Sequence, residues 1–151
     1  MNLIEIKNAY KIYKTGKIKT TVLNNINLSI KEGEIIVILG PSGSGKSTML
    51  NILSGIDSVT KGKVFYKNKD ITKLKETELT KYRKDNLGFV FQSYNLIPNL
   101  TVRENVELGS ELSNNPLNIK EILKEVGLIK HINKYPYQLS GGQMQRVSIA
   151  R

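Results

Sequence analysis

Glu34-Ile35-Ile36-Val37-Ile38-Leu39-Gly40-Pro41-Ser42-Gly43-Ser44-Gly45-Lys46-Ser47-Thr48 is the stretch that decides how this chain is read. The apolar run through Leu39 predicts a strand buried on both faces of a parallel sheet. It feeds directly into G-x-x-x-x-G-K-[ST], and residues 48–54 then carry a helical pattern closed by Gly55 and Asp57. Strand, glycine-rich loop and helix in that order form the setting of a phosphate-binding loop. Bare glycine backbone wraps closely round a phosphate and turns N–H groups inward, and the helix N-terminus adds partial positive charge. Gly40, Pro41, Ser42, Gly43, Ser44, Gly45, Lys46, Ser47 and Thr48 are therefore the candidate nucleotide-phosphate-binding set. Lys46 is its fixed cation for the β- and γ-phosphates, and Ser47 offers a hydroxyl to Mg²⁺. An ordinary glycine-rich turn with an incidental lysine would not require Lys and Ser at these offsets.

On the N-terminal side, residues 3–13 and 22–30 have strand character around the break Lys14-Thr15-Gly16-Lys17, which predicts two antiparallel strands. On the C-terminal side, residues 62–66 return to strand, Asn68-Lys69-Asp70 turns the chain, 76–85 form a charged helix and 87–91 a further apolar strand. Beyond Gln92 strand signals stop. Helix starts follow at Thr101 with Glu104 and at Asn118 with Glu121, the spacing of a capping box, and Gly127 ends the second of these helices. The chain thus divides into an α/β front, residues 1–91, and a helical back, residues 92–151, whose last helix begins near Gly141.

Bulk composition excludes more than it proposes. The 151 residues hold no cysteine, which rules out disulfides and thiolate metal sites. One histidine, His131, leaves no imidazole cluster and no Ser-His-Asp triad, and its expected place is an exposed helical position. The net charge of +10 comes mainly from lysine, 19 of the 23 basic residues, dispersed along the chain. That dispersal reads as a solvated basic surface, so no nucleic-acid partner is inferred from it. The N-terminus has neither a basic n-region nor an apolar core, and no run is long enough to cross a bilayer, which points to a cytoplasmic chain.

A phosphate loop alone does not choose between kinases, GTPases, helicases and transport ATPases. Leu139-Ser140-Gly141-Gly142-Gln143 narrows the choice. Ser140 and Gln143 have the spacing of a capping box, yet two adjacent glycines at the start of a helix weaken it unless bare N–H groups must approach an anion. With this motif the sequence resembles the ABC ATPase family, whose signature reads L-S-G-G-Q, and the resemblance covers essentially the whole chain. It implies an α/β P-loop NTPase fold of ABC type, with an antiparallel β subdomain and a helical subdomain, lacking its C-terminal part. It implies that Ser140, Gly141, Gly142 and Gln143 bind the γ-phosphate of ATP held by the loop of a second subunit. Gln92 matches the family's Q-loop glutamine, which contacts Mg²⁺ and the attacking water. Tyr13 takes the place of the aromatic that stacks on adenine, with Tyr10 as its competitor and core packing as the alternative role.

The run from Gly88 to Val106, with Ser54-Gly55-Ile56-Asp57, is similar to the lipoprotein-releasing, macrolide-export and antimicrobial-peptide-resistance ATPases of the family. The resemblance implies an ATP-binding subunit that pairs head to tail with a second copy and drives integral membrane subunits from the inner face of the cell membrane, with ATP and Mg²⁺ as cofactors. The competing readings are a soluble, non-transport ABC ATPase, a truncated nucleotide-binding fragment without hydrolysis and, against the signature, a simple P-loop kinase. Family members carry an apolar strand ending in Asp-Glu and, after the signature, a switch histidine. Neither is in this sequence: Asp57 follows a glycine-interrupted helix end, and His131 precedes the signature. The expectation is that these 151 residues alone do not turn over ATP, and that the phosphate-loop strand, deprived of its neighbour, exposes an apolar edge.

Overall fold

The computed structural model describes residues 2–151, and the chain separates into two units, one ending at Leu87 and one spanning Gly88–Arg151. The first is built on an antiparallel sheet of order β2-β1-β3-β4, with β1 at Asn2–Thr15, β2 at Ile18–Lys31, β3 at Lys61–Tyr66 and β4 at Lys69–Asp70. Both long strands extend the pattern read from the sequence by one to four residues at each end.

β1 cannot be a regular strand, because Ile6 and Ala9 are both buried although a period of two would turn them to opposite faces. The register shifts between these two positions, and Asn8 sits in the left-handed region at φ 48°. Such an extra residue re-aims the strand. Asparagine tolerates the conformation, and here it is tied down: its Nδ2 donates to Asn25 Oδ1 at 3.0 Å and its N–H to Asn27 Oδ1 at 2.9 Å. Past the bulge Ala9 and Lys11 are buried, and Tyr13 follows at the same spacing.

Two helices complete the unit, α1 (Lys46–Leu53) and α2 (Glu76–Asn86). Ile52 and Leu53 join Ile6, Ala9, Leu23, Val64, Ile71 and Tyr82 in one core. The carbonyls left over at the end of α1 are taken by α2 side chains: Tyr82 Oη donates to Leu53 O at 3.0 Å and Arg83 Nη1 to Gly55 O at 2.7 Å. Burial, with the nearby Tyr66 phenol adding to it, pushes the Tyr82 hydroxyl up to about 12, so it remains a donor at neutral pH.

Two expected strands are absent. Residues 34–39 join no ladder among the described residues, and Ile35, Val37 and Leu39 are 93%, 72% and 86% exposed instead of buried. Residues 87–91 likewise carry no strand. An apolar run becomes a strand only where neighbours accept its N–H and C=O groups, and every ladder of the described sheet runs among β1 to β4.

The second unit packs α3 (Val102–Leu112), α4 (Ile119–Glu125) and α5 (Gly141–Ala150) with 3₁₀ turns at Ile129–His131 and Pro136–Gln138. The helix starts are those read from the sequence. Thr101 and Glu104 form a reciprocal capping box, and the bonds from the Thr101 hydroxyl and N–H hold the Glu104 carboxyl below its ordinary range. Asn118 Oδ1 accepts from Lys120 and Glu121. Gly127, at φ 70°, ends α4, with its own N–H donating to Lys124 O and that of Leu128 to Leu123 O. Leu123 and Leu128 are fully buried in a core with Val102, Val106, Leu139 and Val147, each contributing about 2 kcal/mol of burial.

Asn105 is the polar centre of this unit. Fully buried, it accepts from Ile97 N at 2.8 Å and donates to the carbonyls of Ile97, Leu100 and Thr101 at 2.9 to 3.1 Å. Replacing it strands a buried N–H and the carbonyls together. Asn105→Leu should therefore cost about 2–4 kcal/mol, read as a lowered midpoint in urea unfolding followed by circular dichroism.

Candidate nucleotide-binding site

The phosphate loop owes its shape to Gly45. This residue caps α1 from the left-handed region at φ 90°, and a Cβ placed there would lie 3.0 Å from both Val22 Cγ1 and Val22 O. Only glycine fits that corner without moving β2. α1 then starts at Lys46, two residues earlier than its pattern suggested, and Met49 N donates to Gly45 O at 2.8 Å. The Lys46 ammonium bends back over the loop, donating to Gly40 O at 2.8 Å and Pro41 O at 2.7 Å. Pro41, Ser42, Gly43 and Ser44 lie exposed between them, with Ser47 exposed in the first turn of α1 and Thr48 half-buried behind it. The residues 40–48 are thus gathered round one cation at a helix N-terminus, the arrangement that receives a polyphosphate. A phosphate oxygen has what the two loop carbonyls offer Lys46, with more charge, so the residues present fit ATP.

Tyr13 stands beside this loop through the sheet. It pairs with Thr20 across the β1–β2 ladder, and Val22, two residues further along β2, is the residue that backs Gly45. Its ring is 41% exposed, so it is not a core residue. Tyr10 is only half-buried and pairs with Lys61 on the other side of β1. What holds Tyr13 is not legible in the sequence. Its hydroxyl donates to Asp57 Oδ2 at 2.7 Å, while Lys11 Nζ donates to Asp57 Oδ1 at 2.5 Å and to Ser58 O at 2.7 Å. Burial raises the Asp57 carboxyl, but the hydrogen bonds from Lys11 and Tyr13 outweigh it and leave the group below its ordinary value of 3.8. A buried lysine in a strand reads as exposed from alternation alone, and only the bulge at Asn8 puts it inside.

In the second unit, Gln92 is exposed and follows the stacked pair Phe89 and Phe91, whose ring centroids are 5.4 Å apart. Ser140 caps α5: its Oγ accepts from Gln143 N at 3.3 Å, and Gln143 Oε1 accepts from Ser140 N at 2.9 Å. The capping box is therefore real, and it leaves Gly141 and Gly142 as exposed residues in the first turn. A Cβ on Gly141 would meet Tyr94 Oη at 3.1 Å. The segment before the motif is pinned from behind, since the first N–H groups of α3, at Val102 and Arg103, donate to Lys134 O and Ile132 O. His131 is not an exposed helical residue as expected. It ends a 3₁₀ turn, half-buried, with Nε2 3.2 Å from Gln143 Nε2 and with Nδ1 buried and unpartnered among the described residues. Because Gln143 Oε1 is committed to Ser140, its amide N–H is what faces the imidazole.

The fold is that of a P-loop ATPase of the ATP-binding cassette type. It superposes on the dimeric structure of the ABC transporter cassette MJ0796 with a TM-score of 0.88 and 48% identity, over 97% of this chain and 67% of that one. The same cassette, in a post-hydrolysis dimer bound to ADP and Pi, matches with a TM-score of 0.87. The ABC transporter family model matches residues 23–151, and the chain belongs to that family. Among curated relatives, the lipoprotein-releasing system ATP-binding protein LolD of Wigglesworthia glossinidia brevipalpis is 45% identical over the whole of this chain and 68% of its own length. An ABC transporter ATP-binding protein of Mycoplasma pneumoniae is 49% identical over 99% of this chain, which spans 33% of that relative. No helix among the described residues is long and apolar enough to cross a membrane.

Two outcomes follow from the geometry of the first unit. Gly45→Ala should lower stability by about 1–3 kcal/mol in urea unfolding, through a strained φ and the contact with Val22. Asp57 titrates lower in the fold than its ordinary 3.8, so its stabilisation is complete above that pH and is lost as pH falls through the folded value. Asp57→Asn should accordingly flatten the stability profile on the acid side, measured as urea midpoints between about pH 5 and pH 2.

Proposed function

We propose that this chain is the nucleotide-binding part of an ABC transporter motor subunit. The observation that carries the reading is Lys46 held over the loop of residues 40–48 at the start of α1, with Gly45 locked against Val22. On binding, the β- and γ-phosphates of ATP take the place of the Gly40 and Pro41 carbonyls on the Lys46 ammonium, and the loop N–H groups turn to the phosphate oxygens. Tyr13 receives the adenine on its ring. Mg²⁺ would offset charge on the phosphates when bound, and the Ser47 hydroxyl is its proposed ligand from the phosphate loop. Residues 1–91 supply the nucleotide-binding core and residues 92–151 the helical subdomain.

In the same reading, Ser140, Gly141, Gly142 and Gln143 of one copy meet the γ-phosphate held by a second copy, head to tail. The exposed glycines at the start of α5 support that role, since they offer N–H groups to an anion without side chains in the way. ATP-driven closure of the pair then works integral membrane subunits from the cytoplasmic side, in export or in lipoprotein or peptide handling, the chemistry named for relatives such as LolD.

These 151 residues alone should bind ATP without sustained hydrolysis, because no Asp-Glu pair follows an apolar strand in the sequence. Electrostatic and positioning groups supply nearly all of the rate in phosphoryl transfer. Titration calorimetry should find ATP bound, with Lys46→Ala weakening it by about tenfold or more. Phosphate release from the purified 151-residue polypeptide should stay at background. Sustained release abolished by Lys46→Ala would refute the second expectation, and absence of ATP binding would refute the first.

A further inference from the structure

We propose that Lys11 and Asp57 are positioning residues for the nucleotide base, locking the Tyr13 ring as a platform with one open face. The inference rests on the reading that Tyr13 receives adenine. It goes further, because it assigns a role to a part-buried ion pair outside the phosphate loop.

Three ties act on one side chain. Asp57 divides its two oxygens, Oδ2 accepting from Tyr13 Oη at 2.7 Å and Oδ1 from Lys11 Nζ at 2.5 Å. The Lys11 ammonium is 4.9 Å from the Tyr13 ring centroid, so it covers one face of the ring. The strand that carries both residues is pinned at the same place: Ile12 N donates to Thr60 Oγ1 at 3.0 Å and Thr60 N to Tyr10 O at 2.7 Å. Lys11 is only 9% exposed, whereas Tyr13 is 41% exposed. The cation is inside and the ring faces out.

An exposed tyrosine on a free strand end would sample several rotamers, and a ligand that stacks on it would have to order it first. Here the hydroxyl and one face are fixed before any ligand arrives. A cation on one face also draws π-density toward itself, which makes the other face a better partner for an electron-rich purine. The alternative is that the pair only closes the end of the sheet. In that case it would affect the whole unit and not the base in particular.

The test is calorimetric binding of ATP and, separately, of tripolyphosphate to the full chain carrying Tyr13→Ala, Asp57→Ala, both together, or Tyr13→Phe. Asp57→Ala should weaken ATP by about three- to tenfold and leave tripolyphosphate unchanged. In the Tyr13→Ala background, Asp57→Ala should have no further effect, since Asp57 acts through the ring. Tyr13→Phe cuts the tie to Asp57 while leaving the ion pair whole, and should weaken ATP by about two- to threefold even if Asp57→Ala folds poorly. Equal losses for ATP and tripolyphosphate, an undiminished effect of Asp57→Ala without the tyrosine, or unchanged ATP affinity in Tyr13→Phe would each overturn the proposal. Failure of the unsubstituted chain to bind either ligand would instead remove the nucleotide reading on which it rests.

Discussion

The bulge at Asn8 is the constraint on which the first unit depends. β1 lies between β2 and β3, so any change in its register is passed to both neighbours. By adding a residue at Asn8 the strand keeps Ile6 and Ala9 in one core and then places Lys11, buried, and Tyr13, partly exposed, side by side at the end of that face. Across the ladder, β2 presents Val22 to Gly45 and so sets where the phosphate loop can begin its helix. The asparagines that hold the bulge, Asn8, Asn25 and Asn27, are not themselves among the residues proposed to touch a ligand. They nevertheless set the register that relates the loop proposed to take the phosphates to the ring proposed to take the base.

Most of the local structure was legible because its causes are local. Glycine, lysine and serine at fixed offsets announce the loop of residues 40–48 wherever they occur. Thr101 with Glu104, Asn118 and Gly127 mark helix ends through bonds that span three or four residues. What escaped the sequence depends on partners distant along the chain. Residues 34–39 have every local property of a strand, but strandedness belongs to a ladder and not to a segment. Lys11 looked like one more solvated lysine, since nothing near it predicts that Asp57 will arrive from the end of α1. His131 was misplaced for the same reason: its neighbour Gln143 lies in a different element.

The second unit shows how far a polar centre can organise an otherwise apolar bundle. Asn105 closes the turn of residues 97–101 onto α3, and the first N–H groups of α3 hold the segment that leads to Ser140. The start of α5 is consequently supported from behind by backbone bonds while its own first turn keeps bare glycines forward. Rigid support and an open front suit a surface that must meet a charged group without reshaping itself. The capping box of Ser140 and Gln143 belongs to the support and does not compete with that use.

Lys46 holds two carbonyls of its own loop, and this bears on the strength of the proposed phosphate binding and on its exchange. A cation already satisfied must give up those bonds before a phosphate can claim it, so part of the attraction is spent on exchange and the net grip is softer than the bare charges imply. The same carbonyls stand where they take the lysine back when the nucleotide proposed to bind here leaves. Such a site offers its lysine partners even when no ligand is bound. In the proposed role, a self-sheltering lysine favours exchange of the ligand over retention of it.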